Sequence, residues 1–348
     1  MVESLSSRIS RARREPRRSW QTSASMSTIS RIRVQAPATL SNLGPGFDVL
    51  GMAIEQPGDY VEAEWSEAPG VEIVEVRGDA GRLSTDPTRN VVGLAATATL
   101  RVFDARMSVS RPPGVRLWLD KQMPLASGLG SSAASSVGGA LAVSELLGGV
   151  FGRDDLIACA LEGERAVSGG LHADNVAPCV VGGIILIRSY TPLELLSLPV
   201  PEALRVAVVH PHTSVVTAEA RRLVAERRFE IGQAVANLGQ LGALVTALHR
   251  GDLELLGRAI SDALVEPIRA PLVPGFAEVK EAALEAGALG CSLSGSGPSV
   301  FAFASSDDQA THLGARMAAR FQEVAGLDSD TYVGKVNARG ARRVEENE

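Results

Sequence analysis

Twelve consecutive residues, Pro124-Leu-Ala-Ser-Gly-Leu-Gly-Ser-Ser-Ala-Ala-Ser135, carry the plainest chemical message in the chain. Gly128 and Gly130 let the backbone approach a ligand closely, and Ser131 and Ser132 supply hydroxyls. The small residues beyond predict a helix whose first turn leaves amide N–H groups unpaired. Those amides and the helix dipole form an anion site, suited above all to phosphate. Two other phosphate motifs fail the test. A P-loop needs GxxxxGK[ST], and no lysine stands here. Gly128, Gly130 and Ala133 match GxGxxA by spacing, but a dinucleotide fold runs its strand straight into the first glycine. Here the expected strand ends near Leu119, residues 121–127 intervene, and the acid some twenty residues on, Glu145, sits within a helix. The plainer alternative is a Gly/Ser loop packed against a small-residue helix.

Three segments, taken together, resemble the signature motifs of the GHMP small-molecule kinases. The first is Ala36-Pro-Ala-Thr-Leu-Ser-Asn-Leu-Gly-Pro-Gly-Phe-Asp-Val-Leu-Gly51, the second is the loop above, and the third is Ser292-Leu-Ser-Gly-Ser-Gly-Pro-Ser-Val-Phe301. Their order and separation fit from about residue 31 to the end. The resemblance implies two α+β domains, an N-terminal one like the second domain of ribosomal protein S5 and a C-terminal ferredoxin-like sandwich. The active site would lie between them. It implies ATP and Mg²⁺ as cofactors and phosphorylation of the side-chain hydroxyl of L-homoserine, giving O-phospho-L-homoserine for threonine synthesis. Family members acting on mevalonate, shikimate or a sugar are the alternatives within the class. A non-catalytic nucleotide-binding relative is the alternative outside it.

By the same resemblance, Pro124, Leu125, Ala126, Ser127, Gly128, Leu129, Gly130, Ser131, Ser132, Ala133 and Ala134 cradle ATP. Asn90 matches a position near the adenine; without the family it reads as a helix cap. Ser132 and Glu164 are the implied Mg²⁺ ligands, one hydroxyl and one carboxylate, as suits a hard cation taking few protein donors. A helical glutamate is otherwise simply solvated. The segment His172-Ala-Asp-Asn-Val-Ala-Pro178 is the sharpest family marker, implying that His172 and Asn175 contact the substrate. Several sister kinases place a catalytic aspartate where Asn175 stands. Transfer is therefore expected to rest on alignment and charge neutralisation, which a loose phosphoryl transition state permits. Asp174, next door, is expected to point elsewhere. A zwitterion needs opposite charges at its two ends, and the resemblance gives Asp48 the ammonium. Arg221 and Arg269 take the α-carboxylate, which a planar guanidinium holds through two bonds. Outside the family each arginine would read as a surface salt bridge. Asn42 caps its loop or touches the substrate. His210 and His212 form an HxH without a third ligand and read as loop residues.

These side chains need a scaffold. Strands are expected at 32–35, breaking at Pro37, and at 60–65, 71–76, 115–119, 183–188, 206–210 and 300–304. Helical spacing covers 90–105, 131–147, 153–168, 218–228, 234–250, 252–263, 276–286 and 309–324. Residues 191–201 read as turn material. The interleaving lacks a clean βαβ rhythm and favours α+β sandwiches over a doubly wound sheet. The boundary falls near 195, giving domains at 31–195 and 196–348 after a tail at 1–30.

The 348 residues suit two domains, and apolar residues at 45% with 21% charged are normal for a globular chain. Aromatics at 4% leave the core to Ala, Val and Leu. The formal charge of −6 argues against a nucleic-acid surface. The tail holds six Arg against two Glu, +4, which leaves −10 on the rest, with nine Ser. It reads as disordered or as the product of an early start before Met26, with organelle targeting the lesser alternative. The longest apolar stretch, Val176 to Ile187, is interrupted by Pro178, Gly182 and Gly183, so no membrane helix is expected. Cys159, Cys179 and Cys291 include no CxxC and suit a reducing compartment, the cytoplasm. The expected partner is a small-molecule substrate, with no nucleic acid and no membrane; homodimer formation is left open.

Overall fold

The computed structural model describes residues 30–168 and 172–345, so the tail expected at 1–30 lies outside the described residues except for Ser30. Strand β1 (Arg31–Ser41) follows from strict alternation, with Ile32, Val34, Ala36, Ala38 and Leu40 all buried. It continues through Pro37, where a break was expected. A register shift between Pro37 and Thr39 puts the proline at a bulge, where the ladder needs no N–H. β2 (Leu50–Ser66) pairs antiparallel with β1 and with β4 (Gly114–Asp120), which lies parallel to β3 (Gly70–Arg77). β5 (Ile184–Tyr190) joins the start of β2, and β6 (Leu193–Leu198) pairs with β5. β6 occupies residues expected as turn. As a partly exposed edge strand between Pro192 and Pro201 it lacks the alternation that would have marked it.

Helices α1 (Val91–Arg106), α2 (Ser131–Leu146), α3 (Arg153–Ser168) and α4 (Ala173–Val181) pack with this sheet around one core. α2 is almost wholly buried, and its small residues are what allow that. A Cβ on Gly138 would meet Val61 Cγ2 at 2.6 Å, and one on Gly139 would meet the Val92 carbonyl at 2.5 Å. The helix is thus wedged between sheet and α1 at a separation larger side chains would prevent.

The second layer begins with β7 (Arg205–Pro211) and helices α5 (Thr217–Ala225), α6 (Ile231–Arg250), α7 (Leu253–Ala259), α8 (Glu266–Arg269) and α9 (Phe276–Glu285). β8 (Gly290–Leu293), β9 (Val300–Ala304), α10 (Asp307–Ala325) and β10 (Ser329–Gly334) complete it. The four strands are antiparallel in the order β10-β7-β9-β8, the arrangement of a split βαβ, or ferredoxin-like, unit. The α+β expectation holds. His210 lies within β7, buried against Ser299, rather than in a loop.

The chain then crosses back: β11 (Arg342–Val344) pairs with β1 and extends the first sheet. A cut at residue 195 would split β6 and separate β11 from its sheet. Helix α6 is long and apolar enough to cross a membrane by length and composition alone. In this fold its Asn237, Leu244, Ala247 and Leu248 are buried, while Ile231, Val235 and Leu238 face outward.

Candidate active site

The three motif loops bind one another through their main chains. Thr39 N–H donates to the Leu129 carbonyl at 3.0 Å, Gly295 N–H to Ser41 at 3.2 Å, and Ser299 N–H to Ser127 at 3.1 Å. Ser294 Oγ donates to the Gly128 carbonyl at 2.6 Å. This crowding is why the loop needs glycine: with φ at +80°, a Cβ on Gly128 would sit 2.4 Å from the Ser294 carbonyl. Gly130, at φ +67°, would strike Thr39 Oγ1 at 2.0 Å.

Gly130 also caps α2 and brings no side-chain acceptor to its first turn. Among the described residues, the N-terminal amides of α2 therefore have no side-chain cap and the buried Ser131 hydroxyl has no hydrogen-bond partner. An uncapped helix start beside an unpartnered hydroxyl is a ready phosphate receptor. At the same helix end, Ser132 Oγ donates to Glu164 of α3, a carboxylate only 2% exposed. His172 Nδ1 lies 3.4 Å from the other oxygen of Glu164, and this contact raises the imidazole's pKa above its ordinary value. One hydroxyl and one carboxylate side by side are the donor set Mg²⁺ accepts while it keeps water and phosphate oxygens.

The same cavity carries a second set of charged side chains. Arg221 of α5 makes two bonds to Asp48, at 2.8 and 3.0 Å. Asp48 itself has φ +58°, unusual for a residue with a side chain. Its backbone is pinned from both sides: the amide donates to Asn42 Oδ1 at 3.2 Å and the carbonyl accepts from the Tyr190 hydroxyl at 2.6 Å. Asn42 also reaches the Gly295 carbonyl at 3.2 Å, so it ties the first motif to the third. Arg269, at the end of α8, is 3% exposed and forms no ion pair among the described residues. One Nη donates to Gly295 at 2.8 Å, its Nε has no partner among the described residues, and burial lowers its pKa. Both guanidinium groups lie over the Phe47 ring, at 5.8 and 5.0 Å from its centroid.

One cavity gathers Asn42, Asp48, Ser132, Glu164, His172, Asn175, Arg221 and Arg269 with Ala126, Ser127, Gly128, Gly130, Ser131 and Ala133. Pro124, Leu125, Leu129 and Ala134 do not line it, and the last two are buried behind it. Asn90 does not line it either. Its Oδ1 accepts from Val92 N–H and its Nδ2 donates to Ser84, so the capping role accounts for both ends of its side chain. Asp174 was expected to point away, yet it lines the cavity beside Asn175. The segment is the first turn of α4, where neighbours diverge by about 100° rather than the 180° of a strand. Burial first, and the nearby Asp48 carboxylate second, push the Asp174 pKa up to about 6. Asn175 Oδ1 accepts from Thr39 Oγ1 at 2.8 Å. Thr217 and Ser296, also unexpected, complete the wall.

A phosphate receptor facing a zwitterion-sized pair of opposite charges suits transfer of a phosphoryl group to a small charged molecule. Residues 91–183 match the family described as GHMP kinases N terminal domain, and 244–323 match GHMP kinases C terminal. The fold is thus that of a GHMP kinase. A homoserine kinase of Chlorobium phaeobacteroides is 43% identical, covering 89% of this chain and 98% of its own. One from Arabidopsis thaliana is 44% identical, covering 90% and 84%. The crystal structure of homoserine kinase from Cytophaga hutchinsonii matches with a TM-score of 0.86 at 45% identity, covering 91% and 98%. The chain belongs to the homoserine kinase family.

Proposed function

We infer that this enzyme transfers the γ-phosphoryl group of ATP to the side-chain hydroxyl of L-homoserine, the step that yields O-phospho-L-homoserine for threonine synthesis. The observation that carries the reading is that one cavity joins an uncapped helix start with Ser131, Ser132 and Glu164 to the charged set Asp48, Arg221 and Arg269. The α2 amides and the Ser131 hydroxyl hold phosphate oxygens. Ser132 and Glu164 are the residues that would hold Mg²⁺, which when bound neutralises phosphate charge during transfer.

The Asp48–Arg221 pair carries the two charges that a zwitterion matches in reverse. Asp48 receives the ammonium, and Arg221 with Arg269 receives the α-carboxylate. Phe47 sets the two guanidinium groups side by side despite their like charge. Asn175, held by Thr39, orients the attacking hydroxyl toward the phosphate end. Asp174 stands beside it with a raised pKa, and alignment with charge neutralisation carries a loose transfer. Mevalonate and sugars lack the ammonium, so on them Asp48 would gain no cationic partner beyond Arg221. Free, buried cysteines suit the reducing cytoplasm.

The test is ADP release with L-homoserine, its N-acetyl derivative and its methyl ester. Homoserine alone should support turnover at low concentration. Equal turnover of either singly charged derivative would refute recognition of the zwitterion.

A further inference from the structure

Beneath the phosphate loop lies a charge pair that the transfer chemistry does not touch. Lys121 is 4% exposed and Asp59 is 0% exposed, and the two are ion-paired. Lys121 Nζ also donates to the Ser131 carbonyl at 2.8 Å and to Ser135 Oγ at 2.9 Å, both on the first turns of α2. The second oxygen of Asp59 accepts the N–H groups of Gln122 at 2.9 Å and Met123 at 3.1 Å, just before the loop. Asp59 is itself fixed in β2, in register with Ala36 of β1.

Both ends of the stretch 124–130 are therefore tied to one pair. Between the ties the backbone visits positive φ at Ala126, Gly128 and Gly130, a path with little intrinsic preference for one shape. Stability does not explain the pair, because a buried ion pair is generally no better than apolar residues of similar volume.

We propose that Lys121 and Asp59 are positioning residues for ATP binding, clamping the two ends of the phosphate loop so that the α2 amides and Ser131 hold a preformed phosphate site. The proposal rests on the reading of that loop as the nucleotide site.

The test is the double variant Lys121→Met/Asp59→Leu, which removes both charges together and leaves no unpaired charge, although the Gln122 and Met123 N–H groups lose their acceptor. ADP affinity by calorimetry, KM for ATP and for homoserine, and a melting curve are measured on the full chain. The clamp predicts that the ADP Kd and the KM for ATP rise about tenfold or more, as expected when preorganisation is lost. The homoserine KM should stay within about twofold, and a fall in melting temperature reports only the unpaired Gln122 and Met123 N–H groups. Nucleotide constants within about twofold of the parent overturn the proposal. Should the double variant not fold, Ser135→Ala removes one tie and keeps the pair. It should raise the ADP Kd about two- to tenfold, the worth of one hydrogen bond, and an unchanged Kd would be equally fatal. Ser131→Ala separates the two failures. If it too leaves ADP affinity unchanged, the loop is not the nucleotide site; if it weakens ADP while the clamp variants do not, only the clamp is wrong.

Discussion

Replacing Arg269 by leucine tests whether the charged end of the cavity was built for a carboxylate. Arg269 is buried, contacts Gly295 and Phe47, and carries no ion pair among the described residues. A salt bridge that served the fold would leave an orphaned carboxylate when its arginine is removed, at a cost of several kcal/mol. Here no such partner exists, and the fold already bears the desolvation of the guanidinium. Arg269→Leu should therefore melt at or above the temperature of the parent. The substrate loses a charge-assisted contact worth about 1.5–3 kcal/mol, so the homoserine KM should rise by a factor of about 10 to 150. The KM for ATP should move by less than about threefold, because among the described residues Arg269 bonds Gly295 and none of Ser131, Ser132 and Glu164. A coupled assay of ADP release gives both constants, and a melting curve completes the set. A flat homoserine KM with the fold intact would refute the carboxylate role. A joint rise of both constants with a lower melting temperature would show a structural arginine instead.

Glu164→Gln keeps the shape but loses the charge beside Ser132, and kcat should fall by about 100-fold or more without loss of fold; activity within threefold would put the metal ligand elsewhere. Phe47→Leu removes the ring under both arginines and should raise the homoserine KM about two- to thirtyfold, the range for a cation–π contact; an unchanged KM would show that the arginines need no such support. Asp174 titrates from 3.8 in the unfolded chain to about 6 in the fold, so the native state holds the extra proton between those values. Its contribution is harmless below pH 4, costs stability as pH rises toward 6, and reaches roughly 3 kcal/mol above that. Asp174→Asn should accordingly raise the urea midpoint at pH 7 and flatten the loss of stability between pH 4 and 6. An unaltered profile would mean that Asp174 titrates normally.

Much of the site was legible because its chemistry is local. Gly128, Gly130, Ser131 and Ser132 announce a phosphate loop within five residues, since backbone freedom and a helix start are properties of adjacent positions. Glu164, His172, Asp48, Arg221 and Arg269 acquired roles through likeness to a family, and the fold does bring them to one cavity. What sequence could not supply was pairing across distance. Asp48 and Arg221 stand 173 positions apart, and only the fold shows that they bond each other. Asp174 was misread because its direction depends on a helix beginning at Ala173, whose start carries no side-chain cap. The missing strands have a common cause: β6, β8, β10 and β11 are short or partly exposed, and tertiary pairing rather than alternation makes them strands. Asn90 shows the reverse, a residue whose capping signal is local, with Oδ1 on the Val92 N–H of the helix it opens.

The central claim is best tested by ³¹P NMR of one reaction holding the enzyme, ATP, Mg²⁺ and equal amounts of L-homoserine, mevalonate and galactose. A single new phosphomonoester resonance should appear, split into a triplet by the adjacent CH₂ and growing as homoserine alone is consumed. A phosphorylated product from mevalonate or galactose, or ATP loss yielding only inorganic phosphate, would contradict the account.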